Sequence, residues 1–114
     1  MVSRDIHQPE RARTMKRNDQ INAIIAKQFA EYCHQTYARD MWAKADGPND
    51  PSFYIQMSRE CIHTALVLND LAMYCFGLDF YEIARHMTDN ERRAIAHNEI
   101  DDAKVYEMMC LCMF

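Results

Sequence analysis

The sequence predicts an all-α protein, a four- to five-helix bundle with short connections. Three observations carry that expectation. Only two of the 114 residues are glycine and three are proline, so few positions interrupt a helix. Hydrophobic residues make up 49% of the chain, enough for one core at this length but not for two. Apolar residues also recur at the i, i+3, i+4 spacing of a helical face, as in Ile21, Ile24, Ile25, Phe29 and Tyr32. Nine methionines suit a helical core with irregular gaps, or an adaptable binding surface.

The elements follow in order. Residues 1–18 read as a basic N-terminal arm, and residues 19–114 as a single helical-bundle domain. Asn18 or Asp19 is the expected cap of a first helix reaching about Lys44. The run Ala45-Asp46-Gly47-Pro48-Asn49-Asp50-Pro51-Ser52 concentrates turn formers and is the clearest loop. Asp50 or Ser52 then caps a second helix over about Phe53 to Cys75. Its expected core face is Phe53, Met57, Cys61, Leu68, Leu71, Ala72 and Cys75. Ile55, Ile62, Leu66 and Met73 widen that face, so this helix is expected to be the most buried. Gly77 ends it in the left-handed conformation that glycine adopts cheaply. A short third helix spans about Asp79 to Met87. Thr88-Asp89-Asn90-Glu91 matches a capping box. The last helical stretch, interrupted near Asn98, carries Ile95, Ile100, Ala103, Tyr106 and the apolar end Met108 to Phe114.

The net charge is −4, which argues against a strongly basic nucleic-acid binder. Its distribution is uneven. Through Arg17, five basic residues stand against Asp5 and Glu10, a balance of +3 that leaves −7 on the rest of the chain. Five cysteines are an odd count without a zinc or C-x-x-C spacing, so free thiols in a reducing cytoplasm are expected. Cys61 and Cys75 are expected as buried thiols. With no apolar signal region and no apolar run near ~18 residues, neither export nor membrane spanning is expected.

The chemistry-bearing stretch is Arg92-Arg93-Ala94-Ile95-Ala96-His97, followed by Asn98-Glu99-Ile100-Asp101. Arginine stays protonated and its planar fork matches a phosphate. Histidine exchanges a proton near neutrality. Together they are the minimum equipment for cleaving a phosphodiester without a metal. The run resembles the R-x4-H signature of the HEPN superfamily of helical ribonucleases. Arg92 falls on the motif arginine, Arg93 on the polar position after it, and His97 on the histidine. Asparagine is commoner than arginine at the second position, and a tyrosine often follows the histidine where Asn98 and Glu99 stand here.

The resemblance implies a cytoplasmic, metal-independent endoribonuclease with a toxin or defence role, whose partner is RNA and whose protomers face their motifs across a homodimer axis. It implies no cofactor. His97 would serve as general base or acid in attack by the ribose 2′-hydroxyl, and Arg92 would stabilise charge on the phosphate. Arg93 is a second candidate, since i and i+4 share a helical face with His97, whereas Arg92 lies about 140° away at ~100° per residue. A site shared between protomers relaxes that objection.

Three other readings compete. The pairs Glu31/His34 and Glu60/His63 have the E-x-x-H spacing of ferritin-like di-iron helices, although the helical wheel sets both away from the apolar faces. Residues 79–100 can be cast as a helix-turn-helix with Arg92, Arg93 and His97 toward DNA, but the turn lacks its usual glycine. The last reading is a small acidic helical protein that binds and inhibits or regulates a larger protein. Trp42, Tyr32, Tyr37, Phe53, Tyr54 and the methionines would supply the contact. Such a binder needs a large exposed apolar patch, whereas a ribonuclease needs a convergent charged cleft. No glycine-rich phosphate loop or nucleophile elbow is present.

Overall fold

The computed structural model describes the backbone of residues 2–113 and the side chains of residues 17–113. Five helices follow one another: α1 (Val2–Lys44), α2 (Pro51–Phe76), α3 (Phe80–Arg85), α4 (Asp89–Ala96) and α5 (Asp102–Cys112). No strand occurs among the described residues, so the all-α expectation holds. The first helix does not begin at Asn18 or Asp19. Its helical backbone runs back to Val2, and no glycine or proline stands between residues 10 and 19 to break it there. The side chains of Arg4, Arg11, Arg13 and Lys16, and the apolar terminus at Phe114, lie outside the described residues.

The ends of α2 are set by local chemistry. Asp50 accepts a hydrogen bond from the Ser52 backbone N–H at 2.9 Å, and Pro51 occupies the first turn, where its missing N–H costs nothing. At the other end Gly77 adopts φ 67°. Its N–H donates to the Met73 carbonyl at 3.0 Å and that of Leu78 to Ala72 at 3.3 Å, which closes the last turn. The preceding loop is held by the Tyr54 hydroxyl, which accepts from the Asn49 N–H at 3.2 Å. Trp42 packs edge-on to Phe53 at 5.9 Å and closes this end of the hairpin.

The core is arranged around α1. Phe29, Phe80 and Met109 are fully buried, with Ile25, Tyr32, Ile95 and Val105 beside them. Phe29 and Phe80 meet edge to face with centroids 5.3 Å apart, and Tyr32 stands 5.8 Å from Phe80, a geometry favoured by the ring quadrupoles. α2 lies along one side of α1, while α4 and α5 dock on another. Lys27 reaches Asp102 at 2.6 Å across the α1–α5 contact. Among the described residues no helix is long and apolar enough to cross a membrane.

This arrangement corrects the expectation for α2. It is the most apolar long helix, yet its only buried residues are Ala65 and Ala72. Phe53, Leu71 and Cys75, assigned to its core face, are exposed, as are Ile55, Leu66 and Met73. The physical reason is that α4 and α5 cover α1 rather than α2, so the hairpin shields α2 on one side only. The two alanines allow the helices to approach closely. The stripe on α1 also shifts: Ile25, Phe29 and Tyr32 are buried, whereas Ile21 and Ile24 are exposed. Likewise the buried thiol is Cys33; Cys61 is half-buried.

The core assignment is checked by denaturant unfolding. Phe29→Ala is expected to cost about 3–5 kcal/mol by leaving a cavity, and Leu111→Ala, on an exposed face of α5, less than ~0.5 kcal/mol. Equal losses would place the centre of the core elsewhere.

Candidate functional site

Helix α4 begins as its sequence dictates. The Thr88 hydroxyl accepts from the Glu91 N–H at 3.1 Å, and the Glu91 carboxylate accepts from the Thr88 N–H at 2.8 Å. This reciprocal box fixes where the helix starts, and so which direction each motif residue faces. The helix ends at His97, the C-terminal cap, after which Asn98 takes φ 57° and turns the chain toward α5.

Arg92 points back toward α3. One guanidinium nitrogen donates to the Ala84 carbonyl at 2.7 Å and to the Met87 carbonyl, and the other pairs with Asp89. Carbonyls at the end of a helix have no partner within it, and here a half-buried arginine supplies one. The guanidinium thus joins α3 to α4, and its donors are engaged within the subunit. Its charge also lies near the Cys33 thiol, but burial outweighs it and pushes that thiol up to about 12. Cys33 is therefore a packing residue and not a nucleophile at neutral pH.

His97 stands on a different side. Its ring meets Tyr37 of α1 edge-on at 4.8 Å, and Nδ1 lies 3.7 Å from a Glu99 carboxylate oxygen, an ion pair when the ring is protonated. The side chain is 42% exposed. Arg93, one helical turn before it, is exposed too. It lines a hollow of about 330 Å³ with Tyr37, Met41, Lys44 and the flank of Arg92. Among the described residues neither Arg93 nor Lys44 has an acidic partner, whereas Asp40 is paired with Arg39 and Asp89 with Arg92. The structure therefore brings Arg93, Lys44, Tyr37 and His97 into one neighbourhood and turns the Arg92 fork toward the α3 carbonyls. Lys44 and Tyr37 were not assigned to this site from the sequence; only the fold brings α1 beside α4.

The E-x-x-H residues are dispersed. Glu31, Glu60, His34 and His63 are exposed, and His34 Nδ1 lies within hydrogen-bond distance of the Ala96 carbonyl at 3.3 Å. Among the described residues no three His, Cys, Asp or Glu side chains gather as a metal ion would require.

A second, larger concavity lies elsewhere, a groove of about 690 Å³ lined by residues of α1, α2, α3 and the start of α4. Its walls include Tyr32, Ile62, Leu66, Tyr81 and Ala84, with the Arg92 side chain at one end. Asn69 fixes its geometry: its side-chain oxygen accepts from the Phe80 N–H at 2.6 Å, and its amide donates to Asp79 at 3.2 Å. Asp79 in turn caps α3 by accepting from Tyr81 and Glu82. Nothing in the sequence pattern singles out Asn69, because its partners lie ten and eleven residues away across a turn.

No protein-family model, curated protein or solved structure matches this chain.

The two arginines are separable by experiment. Arg92→Ala is expected to lower folding stability by about 1–3 kcal/mol, because buried carbonyls lose charged donors. Arg93→Ala is expected to change it by less than ~0.5 kcal/mol. Unfolding of the two variants in urea measures both, and equal stability would remove the bridging role of Arg92.

Proposed function

We propose that this protein works as a small helical binding protein, which engages and regulates a larger protein partner through the groove beside α2. The observation that supports this reading is the apolar row on α2 in which Ile55, Leu66 and Met73 are exposed, and of which Leu66 and the half-buried Ile62 line the 690 Å³ groove. Large contiguous apolar patches left exposed on a surface mark contact sites. A groove lined by Tyr32, Ile62, Leu66, Tyr81 and Ala84 together with charged side chains suits an amphipathic partner helix. Paired charges at its edge, Arg85 with Glu82 and Arg39 with Asp40, form a polar rim. Five cysteines without disulfides suit a reducing cytoplasm.

A second reading has its own support. Arg93 and Lys44 present two cations in the hollow beside Tyr37, which Asp40 and Asp89 also line, each paired with another arginine, and His97 packs on the Tyr37 ring. This is the composition that a metal-independent RNA-cleaving site of HEPN type requires, with His97 moving the proton and Arg93 holding the phosphate. Arg92 would contribute only by leaving its carbonyl partners. A toxin or defence role follows from this reading alone.

The first reading is tested by capturing partners with tagged wild-type protein and with Leu66→Asp and Met73→Asp. Both residues are exposed, so folding is expected to persist while one specific partner is lost, with affinity reduced about 100-fold. A captured partner indifferent to both changes would exclude the groove. The second reading is tested with RNA in excess chelator. His97→Ala and Arg93→Ala are each expected to reduce cleavage about 100-fold or more, and absence of cleavage by wild type would dispose of it.

A further inference from the structure

We infer that the groove and the cationic hollow beside α4 form one trough, and that its occupant is an amphipathic helix of a protein partner with carboxylates at one end. The inference rests on the first reading above and names the chemistry of that partner. Thr36, Asp40, Asp89 and Arg92 line both concavities, so the two adjoin. They share a strip of α1, Tyr32, Thr36, Asp40 and Lys44, spaced four residues apart on a single helical face. From Tyr32 to Lys44 the strip covers roughly 18 Å at ~1.5 Å per residue, enough for about three turns of a partner helix.

The two ends of the trough differ in chemistry. At one end exposed Leu66 and Tyr81 line the groove with buried Tyr32 and half-buried Ile62. At the other end Lys44 and Arg93 are exposed, and neither has an acidic partner among the described residues. The remaining arginines of the trough are engaged: Arg39 with Asp40, Arg85 with Glu82 and Arg92 with Asp89. Among the lining residues five cations stand against Asp40, Asp79 and Asp89, a balance of +2 that leaves −6 on the rest of the chain. A positive trough on an acidic body draws carboxylates to itself and away from the surrounding surface. Because the free charge is confined to one end, its complement is a helix with one apolar face and Asp or Glu in a terminal turn. The C-terminal turn suits that end best, since the helix dipole already places negative charge there.

The rest of the trough selects against a nucleic acid. A nucleic-acid strand carries a negative charge at every phosphate. Along the groove it would meet Asp79, Asp40 and Asp89, whereas a peptide helix needs carboxylates only where Lys44 and Arg93 stand. The Asp79 carboxylate is fixed in place as the cap of α3, where it accepts from the Tyr81 and Glu82 N–H groups.

The test selects displayed helical peptides of randomised sequence on the full-length protein. Helices enriched on wild type are expected to carry Asp or Glu in one terminal turn beside an apolar face. Synthetic copies, read by fluorescence anisotropy, are expected to bind the double variant Lys44→Glu with Arg93→Glu about 10-fold or more weakly, with its circular dichroism unchanged. Copies with Lys in place of those acids should reverse the preference and bind the double variant better than wild type. Leu66→Asp should weaken every helix. Helices lost on Leu66→Asp but lacking the acidic turn, or indifferent to the double variant, overturn this inference and leave the groove reading standing. Helices indifferent to Leu66→Asp overturn both. A selection that enriches no helix overturns the inference, as does a single-stranded RNA that displaces the helices and binds more tightly than they do.

Discussion

The structure depends on the burial of one long helix from more than one side. Phe29 and Tyr32 of α1 face Phe80, and Ala26 and Cys33 of the same helix are buried in one core with Ile95, Val105 and Met109. A small residue next to a large one along α1 lets other helices approach at different angles. With α4 and α5 on that side, α2 is covered among the described residues only by α1 and, near its end, by α3. Its open faces are therefore a consequence of how the core is built, and so is the contact chemistry proposed for them.

Arg92 shows the same economy at the scale of one side chain. The turn between α3 and α4 exposes carbonyls that need donors, and the nearest multi-donor group is the arginine one turn into α4. A guanidinium engaged in this way orders the chain but has few donors left for a ligand. Its neighbour Arg93 has the opposite balance, since it is exposed and has no acidic partner among the described residues. Within the subunit, phosphate chemistry on this helix would thus be centred on Arg93 and His97. The six-residue motif and the geometry that would use it differ by one position.

What could be read from the sequence was local. Asp50, Gly77, Thr88 and Glu91 act on backbone groups within a few residues, so their patterns determine helix ends without knowledge of the fold. An all-α architecture of four to five helices followed from those signals together with apolar periodicity. What could not be read was which apolar face would find a partner. On α2 apolar residues encircle most of the helix, so periodicity alone made Phe53, Leu71 and Cys75 as good core candidates as Ala65 and Ala72. Burial was decided by docking between distant elements, and the same is true of Asn69 with Phe80 and of Tyr37 with His97. The candidate site was legible in Arg93 and His97, four residues apart on one helix, but not in Lys44 or Tyr37.

The two flanks of α2 differ in kind. One runs beside α3 into a concavity whose walls are contributed by several elements, so a surface that fits it must be convex and need not resemble the row itself. The other lies on the opposite flank of the helix, where Phe53, Val67, Leu71 and Tyr74 are exposed. The groove flank thus takes its shape from other elements, and its charge as well, since Lys44 and Arg93 belong to α1 and α4. A helix this apolar is an aggregation hazard while its flanks stay open, and a partner seated in the groove would cover part of that exposure.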